Sequence, residues 1–216
     1  MKIVLFGATG NVGRRVAAEA LSRDHEVVGV VRGPADVAAS DSRVRLVKGD
    51  ATKADSVTEL VQGKDAVVSA ISPRPNARGL PAPSLVENAR AIIAGLRRAG
   101  VKRVLVVGGA GSLELAPGRQ LVDQPGFPED YKAEALEGRE ALEVWRTQGG
   151  GLEWSFLSPA AEIAAGERTG RYRTTADQFL VDAAGRSFIT FEDYAVAVLD
   201  ELEHPQHVGR RFGVAY

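Results

Sequence analysis

Three glycines stand at GxxGxxG spacing in Phe6-Gly7-Ala8-Thr9-Gly10-Asn11-Val12-Gly13. Gly7 permits a tight turn, Gly10 lets backbone approach a pyrophosphate, and Gly13 allows close packing of a helix on a strand. Phosphate oxygens would face the unpaired N–H groups of a helix that starts there. Because the apolar run 3–6 precedes the turn, strand, turn and helix follow in order, and the spacing predicts dinucleotide binding. An unliganded glycine-rich turn would leave all three glycines unexplained.

The second strand selects the nucleotide. A carboxylate at its tip accepts from the adenosine ribose hydroxyls, whereas arginine favours a 2′-phosphate. The run 27–31 ends in Arg32 without a carboxylate, and Arg14 and Arg15 add positive charge nearby. A planar guanidinium suits phosphate, so NADPH is expected, with NADH as the alternative and a solvated loop cation as the plainer reading of Arg32. Asp50, in Gly49-Asp50-Ala51 after the third strand, is read as an adenine contact in preference to a helix-opening residue. The fourth strand ends in the small residues Ser69-Ala70-Ile71-Ser72, as expected where backbone passes under the ribose.

Other chemistries are excluded or unsupported. The chain has no cysteine, so disulfides and thiolate sites are absent. His25, His204 and His207 show no metal-ligand spacing, and no metal is expected. With 27 basic against 28 acidic residues and no basic run interleaved with aromatics, no nucleic-acid surface is expected. The first apolar run is too short for a signal peptide or membrane span, so the expectation is a cytoplasmic protein without a membrane partner.

The elements that must position these residues alternate. Apolar runs at 3–6, 26–31, 44–48, 66–69, 104–107 and 154–157 are separated by helical patterns at 12–21, 56–61, 84–98 and 130–145. A last helix runs from a Thr190–Asp193 capping-box spacing to about 203. This rhythm predicts a doubly wound, mostly parallel α/β sheet of Rossmann type in three αβα layers. The 216 residues read as one domain, 1–216, in which 158–216 supplies the substrate-side walls. Two proline-bearing loops, 72–83 and 113–128, follow strand ends and are read as walls of the site. The segment 166–186 is the least legible, with 171–173 and 179–181 as candidate short strands.

Together these residues resemble the atypical short-chain dehydrogenase/reductase group, and within it the NAD(P)H-flavin reductase-like branch, which is similar to biliverdin reductase B and the NmrA-like proteins. The resemblance is carried by the glycine segment, Gly49-Asp50-Ala51-Thr52, Asp65-Ala66-Val67-Val68-Ser69-Ala70, Val106-Val107-Gly108-Gly109-Ala110-Gly111-Ser112 and Phe156-Leu157-Ser158-Pro159-Ala160. It implies phosphate contacts at Thr9, Asn11 and Val12, 2′-phosphate recognition at Arg32, adenine contacts at Asp50 and Ala51, and ribose or nicotinamide contacts at Ala70, Ser112, Ser158 and Pro159.

The chain departs from the group's YxxxK proton shuttle. Lys132 directly follows Tyr131, and Ala135 stands four residues on; Tyr194 has Val198 at that offset. Successive helical residues point about 100° apart, so Lys132 cannot replace the missing lysine. Hydride transfer to a stacked aromatic acceptor needs orientation, and its proton can come from solvent. The expectation is therefore an NADPH-dependent reductase acting on a flavin or quinone-like acceptor. The alternatives are a non-catalytic, NmrA-like dinucleotide sensor and, less favoured, a sugar epimerase or dehydratase. Candidate acceptor walls are Arg74, Leu113, Phe127, Tyr131 and Ile163, with Ser112 and Tyr131 as candidate catalytic groups. Packing or solvated roles are the plain alternatives for each wall residue. The partner expected is a small aromatic acceptor, and the chain is expected as a monomer or homodimer.

Replacing Arg32 by alanine is expected to weaken NADPH binding much more than NADH binding. Fluorescence titration checks this, and equal losses would remove Arg32 from selection.

Overall fold

A computed structural model describes residues 1–33, 41–74 and 82–216. In chain order it forms β1 (Lys2–Phe6), α1 (Asn11–Ser22), β2 (Glu26–Val31), β3 (Arg45–Lys48), α2 (Ala54–Val61), β4 (Ala66–Ser69), α3 (Leu85–Ala99), β5 (Arg103–Val107), β6 (Glu114–Ala116), β7 (Arg119–Gln120), α4 (Glu129–Gln148), β8 (Glu153–Ser158), β9 (Glu162–Ala164), β10 (Arg173–Thr175), β11 (Phe188–Thr190), α5 (Phe191–Glu203) and β12 (Arg210–Ala215). A short 3-10 turn, Leu121–Asp123, precedes α4.

Eight strands make the central sheet in the order β10-β12-β8-β5-β4-β1-β2-β3. Every neighbouring pair is parallel except the edge pair β10 and β12. Continuous apolar runs suit strands covered on both faces, and the two faces bury separate clusters. Leu5, Val68, Leu105 and Leu157 pack under α1 and α5. Val4, Val67, Val104 and Phe156 lie in the other cluster, with α3 residues Ile92 and Leu96 and α4 residues Leu142 and Trp145. The expected doubly wound α/β fold is the observed one.

The helix boundaries have local causes. Ser84 caps α3 by accepting from the Glu87 N–H at 3.3 Å, and Gly100 ends it in the left-handed conformation. Thr190 caps α5 by accepting from the Asp193 N–H at 3.0 Å. The capping-box reading is incomplete, because the Asp193 carboxylate serves the segment 166–186 instead. It accepts from the Thr169 N–H (2.8 Å), Thr169 hydroxyl (2.6 Å), Gly170 N–H (2.7 Å) and Tyr216 hydroxyl (2.6 Å).

That segment contains β10, placed antiparallel on β12 with Thr174 opposite Val214. The candidate strand at 171–173 is therefore displaced to Arg173–Thr175. Residues 179–181 form no strand; the Phe179 N–H donates to the Glu114 carbonyl at 2.8 Å, tying them to β6. The sequence pattern also misses β12. Two arginines interrupt its apolar run, and the Arg211 side chain is buried beside Asp177 and Ser112. In the loop 72–83, residues 75–81 lie outside the described residues.

Asp193 is fully buried. Burial penalises its charge, but bonds from Thr169, Tyr216 and Gly170 outweigh that penalty and hold its carboxyl below its ordinary value. Its stabilisation is thus complete above the unfolded-chain pKa of about 4 and is lost as pH falls through the lower folded value. Asp193→Ala leaves several donors unpaired and is expected to cost roughly 2–4 kcal/mol at neutral pH, with less difference from the native chain in acid. Urea denaturation across pH checks both parts.

Candidate functional site

From β1 the chain winds outward through β2 to β3, then returns to place β4 on the other side of β1. The crevice at the carboxyl ends of these strands is the usual ligand position in such sheets. Gly7 stands there with φ +78°, and a Cβ on it would lie 2.3 Å from the Ala70 carbonyl oxygen. A Cβ on Gly13 would lie 2.1 Å from the Gly7 carbonyl oxygen. The Gly10 N–H donates to that same oxygen at 3.0 Å, and Gly10 caps α1.

This cradle fits a pyrophosphate. Gly10 supplies no side-chain cap, and the first turn of α1 holds no acidic residue, so its N–H groups and positive dipole end meet no carboxylate of their own turn. Thr9 and Asn11 are exposed, Val12 is half-buried and Gly13 buried. Arg14 donates to the Asn11 side chain. Arg15, expected to add charge for the nucleotide, is instead bound to Glu192 at 3.0 Å and lies over the Phe191 ring. Glu192 also accepts from the Gly166 N–H at 2.9 Å, so this pair fastens α1 to the strap after β9.

At the turn expected to meet the adenosine, Asp50 Oδ1 accepts from the Thr52 N–H (2.9 Å) and hydroxyl (2.6 Å), closing the turn before α2. The helix-opening role is therefore real, and any adenine contact must come from the rest of the carboxylate. Burial penalises the charge of Asp50, but the Thr52 bonds, Lys53 and Arg32 outweigh it and hold the carboxyl below its ordinary value. Arg32 is thus electrostatically coupled to the turn that carries Asp50 and the buried Ala51.

Of the residues expected at the nicotinamide, Ala70 is buried beside Gly7, with its N–H donating to the Phe6 carbonyl at 2.9 Å. Ser158 ends β8 with no exposed surface, and its Oγ has no hydrogen-bond partner among the described residues. An orphaned hydroxyl at a strand's carboxyl end fits a site that a ligand completes. Pro159 lines a narrow crevice with Leu113, Ala160, Leu180 and Gly213. Another cavity, of about 450 Å³, lies among α3, α4 and β7 and takes no residue from the central sheet, so the glycine crevice is the better candidate.

The catalytic candidates are not brought together. Ser112 is 4% exposed and accepts from Arg211 Nη1 at 3.3 Å, whereas Tyr131 is 50% exposed. In this structure Ser112 thus helps to hold the buried Arg211, which also pairs with Asp177. Leu113 is buried against Gly213. Arg74 donates to Glu134 at 2.7 Å and lies 5.1 Å from the centre of the Tyr131 ring, so these two candidates clamp the start of α4 to the segment after β4. Phe127 is half-buried in the turn before α4, and Ile163 packs on the α1–α5 cluster from β9. Tyr194 is fully buried and donates to the Leu157 carbonyl at 2.6 Å; burial pushes its phenol well above its ordinary value. It cannot act as a proton shuttle.

Sequence reasoning missed Arg211 and Asn88. The available signal was polarity inside an apolar pattern: Arg211 precedes Phe212-Gly213-Val214-Ala215, and Asn88 lies on the face of α3 that buries Ala89 and Ile92.

With this geometry in place, the comparisons with known proteins agree on the class. The NAD(P)H-binding family model matches residues 7–205, and the chain belongs to that family. A structure from Burkholderia pseudomallei, described as a "putative exported protein", is 45% identical over the whole of both chains, with a TM-score of 0.89. A "putative epimerase" from Bacteroides thetaiotaomicron is 42% identical, covering 100% of this chain and 96% of that one, with a TM-score of 0.86. A "putative NADH-flavin reductase" from Streptococcus pneumoniae is 32% identical over 100% of this chain and 99% of that one, with a TM-score of 0.85. The chain is an oxidoreductase-like NAD(P)H-binding protein, and among the described residues no helix is long and apolar enough to cross a membrane.

Gly13→Ala would press a methyl group into the Gly7 carbonyl. It is expected to destabilise the fold by about 1–3 kcal/mol and to weaken nucleotide binding more than tenfold. Thermal melts with and without NADPH separate the two effects.

Proposed function

We propose that the chain is an NADPH-dependent reductase that passes a hydride to a flavin or quinone-like aromatic acceptor. The observation that carries this reading is that neither Tyr131 nor Tyr194 has a lysine at the relay position four residues on. Tyr194 is sealed against Leu157, and Ala135, four residues after Tyr131, sits where its methyl would meet a Cβ on Gly111 at 2.7 Å. Reduction of an alcohol-forming carbonyl needs a placed acid; an isoalloxazine or quinone takes its proton from solvent. The same absence disfavours the epimerase or dehydratase reading, although one relative carries an epimerase description.

When bound, the nicotinamide supplies the hydride. The chain's own work is to hold and orient. The Gly10–Gly13 backbone receives the pyrophosphate, Arg32 and the Asp50 turn receive the adenosine end, and Ala70, Ser158 and Pro159 border the nicotinamide. Arg74 and Tyr131 are offered as the acceptor-side wall, with Arg74 over the Tyr131 ring and its charge paired with Glu134. Arg32 just beyond β2, with no carboxylate at that strand tip, supports NADPH, while the Streptococcus pneumoniae protein's description names NADH and makes that nucleotide the necessary comparison. A cytoplasmic setting and a monomer or homodimer belong to the same reading; the exported description of the Burkholderia pseudomallei protein points the other way on compartment.

One observation favours a dinucleotide sensor instead. The crevice beside Pro159 has no room even for a water molecule, whereas small-molecule pockets usually hold roughly 300–1,000 Å³. Loss of nicotinamide absorbance with riboflavin, FMN or a simple quinone decides between the readings. Acceptor-dependent oxidation, faster with NADPH than with NADH, is expected. Tight binding without turnover on any acceptor would establish the sensor.

A further inference from the structure

Asn88 is the one buried residue of α3 with a polar side chain; its buried companions are Ala89, Ala91, Ile92, Ile93, Gly95 and Leu96. It is 3% exposed, and neither Oδ1 nor Nδ2 has a hydrogen-bond partner among the described residues. A carboxamide buried in that state is disfavoured, so its place in the fold matters.

Helical geometry supplies that place. Seven residues on an α-helix turn through about 700°, within 20° of two full turns, and advance about 10 Å. Gly95, seven residues after Asn88, faces α2, since a Cβ on it would lie 2.5 Å from Val57 Cγ1 and 3.0 Å from the Ala54 carbonyl oxygen. Asn88 therefore points the same way, one step of about 10 Å nearer the carboxyl edge of the sheet. Ala54 opens α2, and just before it, toward that edge, comes the turn 50–53. The residues beside Asn88, Ala89 and Ile92, share a packed cluster with Phe6, Ala51 and Ile71, which border the crevice.

The turn has a donor to offer. The N–H groups of Asp50, Thr52 and Lys53 are bound to Ser56 Oγ (3.0 Å), Asp50 Oδ1 (2.9 Å) and the Asp50 carbonyl (3.2 Å). The N–H of Ala51, a residue 6% exposed, makes no such bond within the described residues.

We propose that Asn88 is a positioning residue for the adenosine half of the dinucleotide. With the nucleotide seated, its carboxamide engages the backbone of the turn 50–53, accepting from the Ala51 N–H, and fixes that turn against the base. The inference rests on the dinucleotide reading above. It makes α3 part of the binding apparatus without contact between its side chain and the hydride-transfer end.

The test titrates the native chain and Asn88→Leu, which keeps the volume and removes the hydrogen bonds, with NADPH and with 2′-phospho-ADP-ribose. Hydrogen exchange of residues 50–57 is followed in the same samples. Asn88→Leu is expected to weaken both ligands about tenfold, equal to about 1.4 kcal/mol, and to lose the ligand-induced protection of 50–57. Asn88→Ser, which keeps a donor and an acceptor, is expected to recover most of both. Affinities within twofold of native, whether or not the unliganded chain is less stable, would overturn the proposal and leave Asn88 to a buried water. If Asn88→Leu does not fold, the native chain decides: 2′-phospho-ADP-ribose must shift the Asn88 side-chain amide resonance, and an unshifted resonance overturns the proposal. A native chain that binds neither ligand would instead refute the dinucleotide reading itself.

Discussion

At the carboxyl ends of β1 and β4 three stretches of backbone meet more closely than a methyl group allows. Gly7 presses on the Ala70 carbonyl and Gly13 on the Gly7 carbonyl. The rest of the site depends on this contact. It sets the angle at which α1 leaves β1, brings the start of α1 over the crevice, and leaves the first N–H groups of that helix facing outward without a side-chain cap. A fold that held this turn with larger residues would have to move α1 away from β4, and the anion cradle would open.

Around that contact the molecule divides its polar groups between locks and vacancies. Locks fasten the later third of the chain: Asp193 holds Thr169, Gly170 and Tyr216; Glu192 joins Arg15 to Gly166; Arg211 joins Asp177 to Ser112. Each ties the segment 166–186 or its approach to an element of the sheet or its helices. The orphaned side chains are different in kind. Ser158 Oγ at the end of β8, both ends of the Asn88 amide in α3 and Arg103 Nε at the start of β5 are buried without partners among the described residues. Groups left unpaired on elements that border a ligand crevice are where binding energy can be gained on occupancy.

The fold was legible because its signals are local and repeat. Each of the runs 3–6, 26–31, 66–69, 104–107 and 154–157 lies within an observed strand, and the glycine spacing marks the turn between β1 and α1. The last strand was not legible, since Arg210 and Arg211 hide an apolar run whose burial depends on Asp177, more than thirty residues away in sequence. The site was half legible. Glycine positions follow from backbone sterics, which sequence carries directly. The roles of Ser112, Leu113 and Tyr131 do not, because a hydroxyl, an alkyl group or a ring reads the same in sequence whether it faces a ligand or a neighbouring strand. Their partners, Arg211, Gly213 and Arg74, come from distant stretches that only the fold brings together.

The central claim is that the Gly7–Gly13 turn and the start of α1 hold the pyrophosphate of a dinucleotide. The most direct measurement is calorimetric titration of the native chain with NADPH, alone and in the presence of saturating ADP-ribose. The account predicts saturable one-to-one binding that ADP-ribose displaces by competition at the shared pyrophosphate. Absence of binding, or NADPH binding that ADP-ribose leaves unchanged, would contradict it.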